Sequence, residues 1–205
     1  MTGGSSIANP NVSKADRLAI WSILVVGMFG GGFVAGLGLV TGVFRLIDPA
    51  RYPIALLADI PVETGPGIAQ AHGDGVLVNA EQLSAGPLWL LAAGDMTLGL
   101  VIGCVTASFA HVLYRVAQRK PFHSTMQVAV LVAGVAIAVG GLLHQGFTGL
   151  GTMMAADELN DSLGGVAEVG FLFNPLIPLV GFGILALAYV FRAGERIQRE
   201  TEGLV

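Results

Sequence analysis

Four apolar runs, at about 18–44, 88–114, 125–143 and 171–190, constrain this chain of 205 residues more than any other feature. About 20 consecutive apolar residues are needed for a helix to cross the hydrocarbon core of a bilayer. Inside lipid every backbone N–H and C=O must be satisfied internally, which a helix achieves. Only 12% of the residues are charged, and the mean hydropathy is +0.75; soluble domains carry about 25% charged residues. The runs predict an all-α fold, a polytopic membrane four-helix bundle forming one domain over 18–205. A polar arm over 1–17 precedes it, read as flexible and cytoplasmic, and a helical cytoplasmic tail over 191–205 closes it. The first run exceeds the 7–15 apolar residues of a cleavable signal and reads as an uncleaved anchor.

Charge segregation orients the bundle. Cations beside apolar spans tend to stay on the cytoplasmic side. The turn Arg115-Val116-Ala117-Gln118-Arg119-Lys120 joins the second and third runs. With four spans, that turn and both termini lie on one side. Lys14, Arg17, Arg115, Arg119, Lys120, Arg192, Arg196 and Arg199 then all fall inside, leaving two of the ten cations, Arg45 and Arg51, outside. The outer segments hold Asp48, Asp59, Glu63, Asp74, Glu81, Asp157, Glu158, Asp161 and Glu168. The expected localisation is a multi-pass protein of the cell (plasma) membrane with both termini cytoplasmic.

The outer segments are expected to be small. Residues 45–87 contain Pro49, Pro53, Pro61, Pro66 and Pro87, which exclude one long helix. Gly73-Asp74-Gly75 reads as a turn, 75–79 as a short strand and 60–64 as its partner, giving a small extracytoplasmic β-hairpin laid on the bundle. In residues 145–170, Gly149, Gly151, Gly164 and Gly165 read as breaks, with a surface helical piece over 153–163. Gly27/Gly31, Gly32/Gly36 and Gly38/Gly42 in the first run recur on one helix face, a spacing that lets helices approach closely in lipid. It serves either packing inside the bundle or a homodimer through the first span.

Few residues carry chemistry. Asp95 in the second run is the candidate intramembrane functional acid, because an ionised group there is costly unless paired or hydrated. The other reading places it at the wet end of the span, bonded to a neighbouring Thr or backbone group. His111 and His144 lie at span boundaries and read as interfacial. Cys104 stands alone, so it has no disulfide partner in the chain. The acidic outer segments lack the D-x-[DN]-x-[DN]-G pattern of a calcium loop. No H-E-x-x-H, paired cysteines or G-x-S-x-G occurs, and Gly36-Leu37-Gly38 lies in an apolar run where it cannot cradle a phosphate. The expectation is a protein that is not an enzyme, with no catalytic residues, cofactor or metal. At net charge −4 no overall basic field draws nucleic acid.

Lys120-Pro121-Phe122, together with the terminal run from Phe191-Arg192-Ala193-Gly194-Glu195-Arg196 to Glu202-Gly203-Leu204-Val205, resembles the bacterial membrane family catalogued as domain of unknown function 2975. The resemblance covers the chain from the first span to the end. It implies four spans, a Pro-Phe turn between spans two and three, and pairing with a small helix-turn-helix transcription regulator in the cytoplasm. Arg115, Arg119, Lys120, Arg192, Glu195, Arg196, Arg199, Leu204 and Val205 are the candidate partner-binding residues. Apolar anchors amid charge, Ile197 among them, suit a groove-binding peptide. The same charges could instead only solvate a helix end and hold it at anionic headgroups.

Three function classes follow. The expected one is a non-enzymatic sensing or regulatory module embedded in the lipid bilayer and acting through its cytoplasmic face. The alternative is a small transporter or channel subunit, which needs a polar path between helices. The spans offer Asp95, a few Ser and Thr, and boundary histidines. A membrane enzyme is the least supported.

Overall fold

The computed structural model describes residues 14–61, 72–118 and 124–202. It is mostly helical, with a small sheet at one end. The helices are α1 (Lys14–Ile47), α2 (Ala85–Ala117), α3 (Ser124–Val135), α4 (Gly141–Leu159) and α5 (Leu176–Glu202). One π turn, Ala136–Gly140, joins α3 to α4 without interrupting the helix. Three helices are long and apolar enough to cross a membrane: Leu18–Ile47, Ala85–Ala117 and Thr125–Leu159.

Backbone contact sets the α1–α2 pair, the most extensive helix packing in the fold. A Cβ on Gly38 would lie 2.9 Å from the Gly99 backbone, and one on Gly42 would lie 2.8 Å from the Ala92 carbonyl oxygen. A Cβ on Gly99 would lie 2.7 Å from the Ala35 carbonyl oxygen. These glycines are spent inside the bundle. Gly27, Gly30, Gly32 and Gly36 have no atom within 4 Å of a built Cβ and face outward. Pro87 sits in the first turn of α2, where a missing N–H leaves no helical bond unmade. The helix therefore starts at Ala85, three residues before the expected span.

Two expectations about α3 to α5 need correction. The third span was expected to end at 143, with an irregular outer segment after it. Instead the helix runs on to Leu159 and absorbs most of the piece placed at 153–163. Gly149 and Gly151 do not break it. Phe171 covers Gly149 and Leu91 covers Gly151, so both glycines are close-packing positions. That packing offsets the roughly 1 kcal/mol helix cost of a glycine relative to alanine. The real break is at Gly164 and Gly165, both in the left-handed region (φ 73° and 81°). There the Asn160 carbonyl accepts the Gly165 N–H and the Asn160 side chain accepts the Ala167 N–H.

The fourth span, expected over 171–190, is shorter in helical form. Residues 171–174 are not helical, and the apolar helix is Leu176–Val190. At about 1.5 Å per residue it falls short of a ~30 Å hydrocarbon core. Asn174 starts it, its side-chain oxygen accepting the Leu176 N–H at 3.0 Å. α5 meets the π turn through Gly181, where a Cβ would collide with the Ala138 backbone. Residues 14–17, read as part of a flexible arm, are the first turn of α1.

The hairpin is present, with different bounds and a third strand. β1 (Ile54–Pro61) pairs antiparallel with β2 (His72–Val78), Leu56 facing Val76, and with the short β3 (Ala167–Glu168), giving the order β2-β1-β3. The first strand begins six residues before the expected 60–64. Its signal is alternation: Ile54, Leu56 and Ala58 are buried, whereas Ala55 and Leu57 are not. Ile54 and Leu56 join Leu91 of α2, Ala155 and Ala156 of α4, and Ala80 and Ala167 in the main buried cluster. The sheet is thereby seated on the protruding ends of α2 and α4. Glu158 on α4 also accepts the Ser84 N–H at 2.8 Å, just before α2 begins.

Candidate functional site

The site is built around two consecutive α2 residues, Gly94 and Asp95, at the sheet end of the bundle. With Gly42 set against Ala92 and Met96, Arg45 one turn further along α1 falls beside Asp95. Arg45 Nε donates to Asp95 Oδ2 at 2.7 Å. Both side chains are largely removed from solvent, 11% and 24% exposed. The Arg45 guanidinium also donates to the Tyr52 carbonyl oxygen at 3.3 Å and lies 5.7 Å from the centre of the Tyr52 ring. Asp95 is thus a paired acid, and its partner is a residue that sequence reading left among the loop cations. Cation placement in the last turn of α1 also suits the carbonyl-rich end of that helix.

On the other side of α2, the Gly94 carbonyl faces His144 Nδ1 of α4 at 2.9 Å. A carbonyl only accepts, so Nδ1 carries the proton and Nε2 of neutral His144 is an acceptor. Thr148 fills the space that a side chain on Gly94 would occupy. One turn of α2 therefore braces α1 through an ion pair and α4 through a histidine. His144, read as merely interfacial, is a helix–helix bond. Gln145 accepts the Asn174 N–H at 2.7 Å and anchors the start of α5.

Between α4, the sheet and the 170–172 segment lies an open cavity of about 350 Å³. His144, Gln145, Thr148 and Thr152 of α4, Asp74 of β2 and Phe171 line it, together with Leu56 and Leu57. No sequence pattern marks these residues as one site. Gly73-Asp74-Gly75 reads as a turn but lies in β2, and the i,i+4 polar pattern of His144, Thr148 and Thr152 emerges only when the third apolar helix continues past 143.

At the opposite end, the candidate partner residues are only partly in view. Arg115 lies in the last turn of α2, four residues after His111, and Arg115 Nε and His111 Nε2 are buried without a hydrogen-bond partner among the described residues. Arg192 lines a second, largely apolar cavity of about 180 Å³ between α3 and α5, beside Gln127 and Tyr189. Glu195, Arg196 and Arg199 lie on the α5 backbone, and their side chains fall outside the described set. Arg119, Lys120, Leu204 and Val205 lie outside the described residues altogether. Cys104 is exposed on α2. Among the described residues no group of three or more His, Cys, Asp or Glu is placed to hold a metal ion. The chain matches no protein-family model, no curated protein and no solved structure.

Proposed function

We propose that this chain is a non-enzymatic sensing or regulatory module of the cell membrane that reads the exterior at its sheet end and acts on a cytoplasmic partner at the other. The observation that carries this reading is the continuous helix Thr125–Leu159, which begins beside the basic turn and ends as a wall of the cavity. An event at His144–Thr152 is transmitted along one rigid element. The π turn within it is the kind of helix irregularity that recurs at functional sites. Lipid contact is supported by the outward face of α1, where Val26, Phe29 and Phe33 are 71%, 82% and 66% exposed. In this reading α5 is the fourth span, its short apolar length met by local bilayer thinning. A homodimer, if the first span forms one, uses the outward Gly32/Gly36 face, because Gly38 and Gly42 are occupied by α2. The transporter alternative is weakened because Asp95, its candidate relay acid, is engaged by Arg45.

Two outcomes are expected. Deleting residues 192–205 abolishes capture of a cytoplasmic regulator, the helix-turn-helix class being the first to test, while the protein stays in the membrane. Unchanged capture and unchanged transcription after deletion would reject the reading. Orientation is tested separately in a Cys104→Ser background. A Lys120→Cys thiol should react with an impermeant maleimide only after the cytoplasmic side is opened, and labelling of intact cells would reverse the proposed topology.

A further inference from the structure

We infer that the sheet-end cavity is a binding site for a small organic ammonium: a protonated amine carried on a compact aromatic or aliphatic body. Three polar groups on its walls accept, those of His144, Thr152 and Asp74, beside the Thr148 hydroxyl and the Gln145 amide, which can also donate. His144 presents Nε2 as an acceptor once Nδ1–H is committed to the Gly94 carbonyl. The Thr152 hydroxyl spends its proton on the Gly149 carbonyl at 2.8 Å, leaving its oxygen lone pairs. Asp74 contributes a carboxylate. It is exposed at the cavity rim, next to Gly75, which pairs with Leu57 of β1. A ligand that satisfies this set must donate, and a cation donates best to a carboxylate. Phe171 supplies an aromatic ring of the kind that attracts ammonium groups. Leu57, half-buried, offers apolar surface for the rest of the molecule.

The surrounding charge selects the same sign. Among the described residues the cations of this end, Arg45 and Arg51, are both neutralised, by Asp95 and by Asp48 at 2.7 Å each. Asp74, Glu81, Asp157, Asp161 and Glu168 have no cationic partner among the described residues, which leaves the sheet end net negative. An anionic or purely apolar ligand would leave those acceptors unsatisfied or repelled.

The inference deepens the sensing proposal by naming the ligand class, but its test is independent of any partner. The full chain, purified in detergent, is titrated with phenethylamine at neutral pH, with phenethyl alcohol and phenylpropionate as neutral and anionic controls. Calorimetry or ligand-dependent thermal stabilisation is the readout. Phenethylamine is expected to bind at least about tenfold tighter than either control. Asp74→Asn should remove about tenfold of that affinity, Thr152→Val a smaller part, and Glu81→Gln, which removes one surrounding charge but no part of the cavity wall, less than either. Equal binding of the three compounds, no binding of the amine, or an unchanged affinity in both Asp74→Asn and Thr152→Val would overturn the site. Amine binding that leaves regulator capture unaltered would reject the sensing role while keeping the site.

Discussion

Replacing Asp95 with alanine is expected to destabilise the protein by about 3–5 kcal/mol, the range found when one partner of a buried ion pair is removed. The cost comes from what remains. Arg45, 11% exposed, would keep its charge in a place where the Tyr52 carbonyl and ring alone cannot replace the carboxylate. Arg45→Ala should cost a similar amount by leaving the Asp95 carboxylate without its partner. The informative comparison is the double replacement Arg45→Met with Asp95→Leu. If the pair positions α1 on α2 without contributing much net energy, the double variant should recover most of the loss. Unfolding in a series of mixed micelles of rising denaturing detergent would measure all three. Single variants as stable as the parent would show that the charges are hydrated and that the α1–α2 register rests on the glycine contacts alone.

Replacing Leu56 with alanine is expected to cost about 2–5 kcal/mol, the usual range for a buried leucine truncated in a packed core. Leu56 is 2% exposed and sits in the cluster that joins β1 to α2 and α4. The sheet has few other anchors, since β3 contributes two residues and a two-stranded ribbon is marginal alone. Proteolysis of the sheet should therefore accelerate more than unfolding of the helices. Limited proteolysis followed by mass spectrometry separates the two. Leu77→Ala is the control: Leu77 is on the same hairpin but 70% exposed, and its truncation should change little. Equal protease resistance in the Leu56 and Leu77 variants would mean that the sheet is held by its strand pairing rather than by its seat on the bundle.

The helical character and the long apolar helices were legible because hydrophobic run length is a local property. The start of α5 has a local cause too, since a capping residue and a proline stand together at Asn174-Pro175, but the apolar run that begins at 171 hides it. The β-hairpin was legible in kind but displaced in register, because the alternation of Ile54, Leu56 and Ala58 is masked by Ala55 and Leu57, which are also apolar. The extension of the third apolar helix to Leu159 was misread. A glycine that breaks a helix and a glycine that admits a neighbour look alike in one dimension. Only Phe171 and Leu91, both distant in sequence, show that Gly149 and Gly151 are of the second kind.

Composition and charge order, taken alone, determined that the chain is built of long apolar helices, with basic residues at one set of helix ends and acidic residues in the segments between the others. Those are sums over neighbouring residues and need no knowledge of contacts. The partner of Asp95, the donor to the Gly94 carbonyl and the cavity walled by His144, Thr152 and Asp74 were decided by tertiary structure. Each joins residues about 50 or more positions apart, and which of them meet depends on the rotation and depth at which one helix settles against another. Touching backbones at Gly38, Gly42 and Gly99 set that rotation.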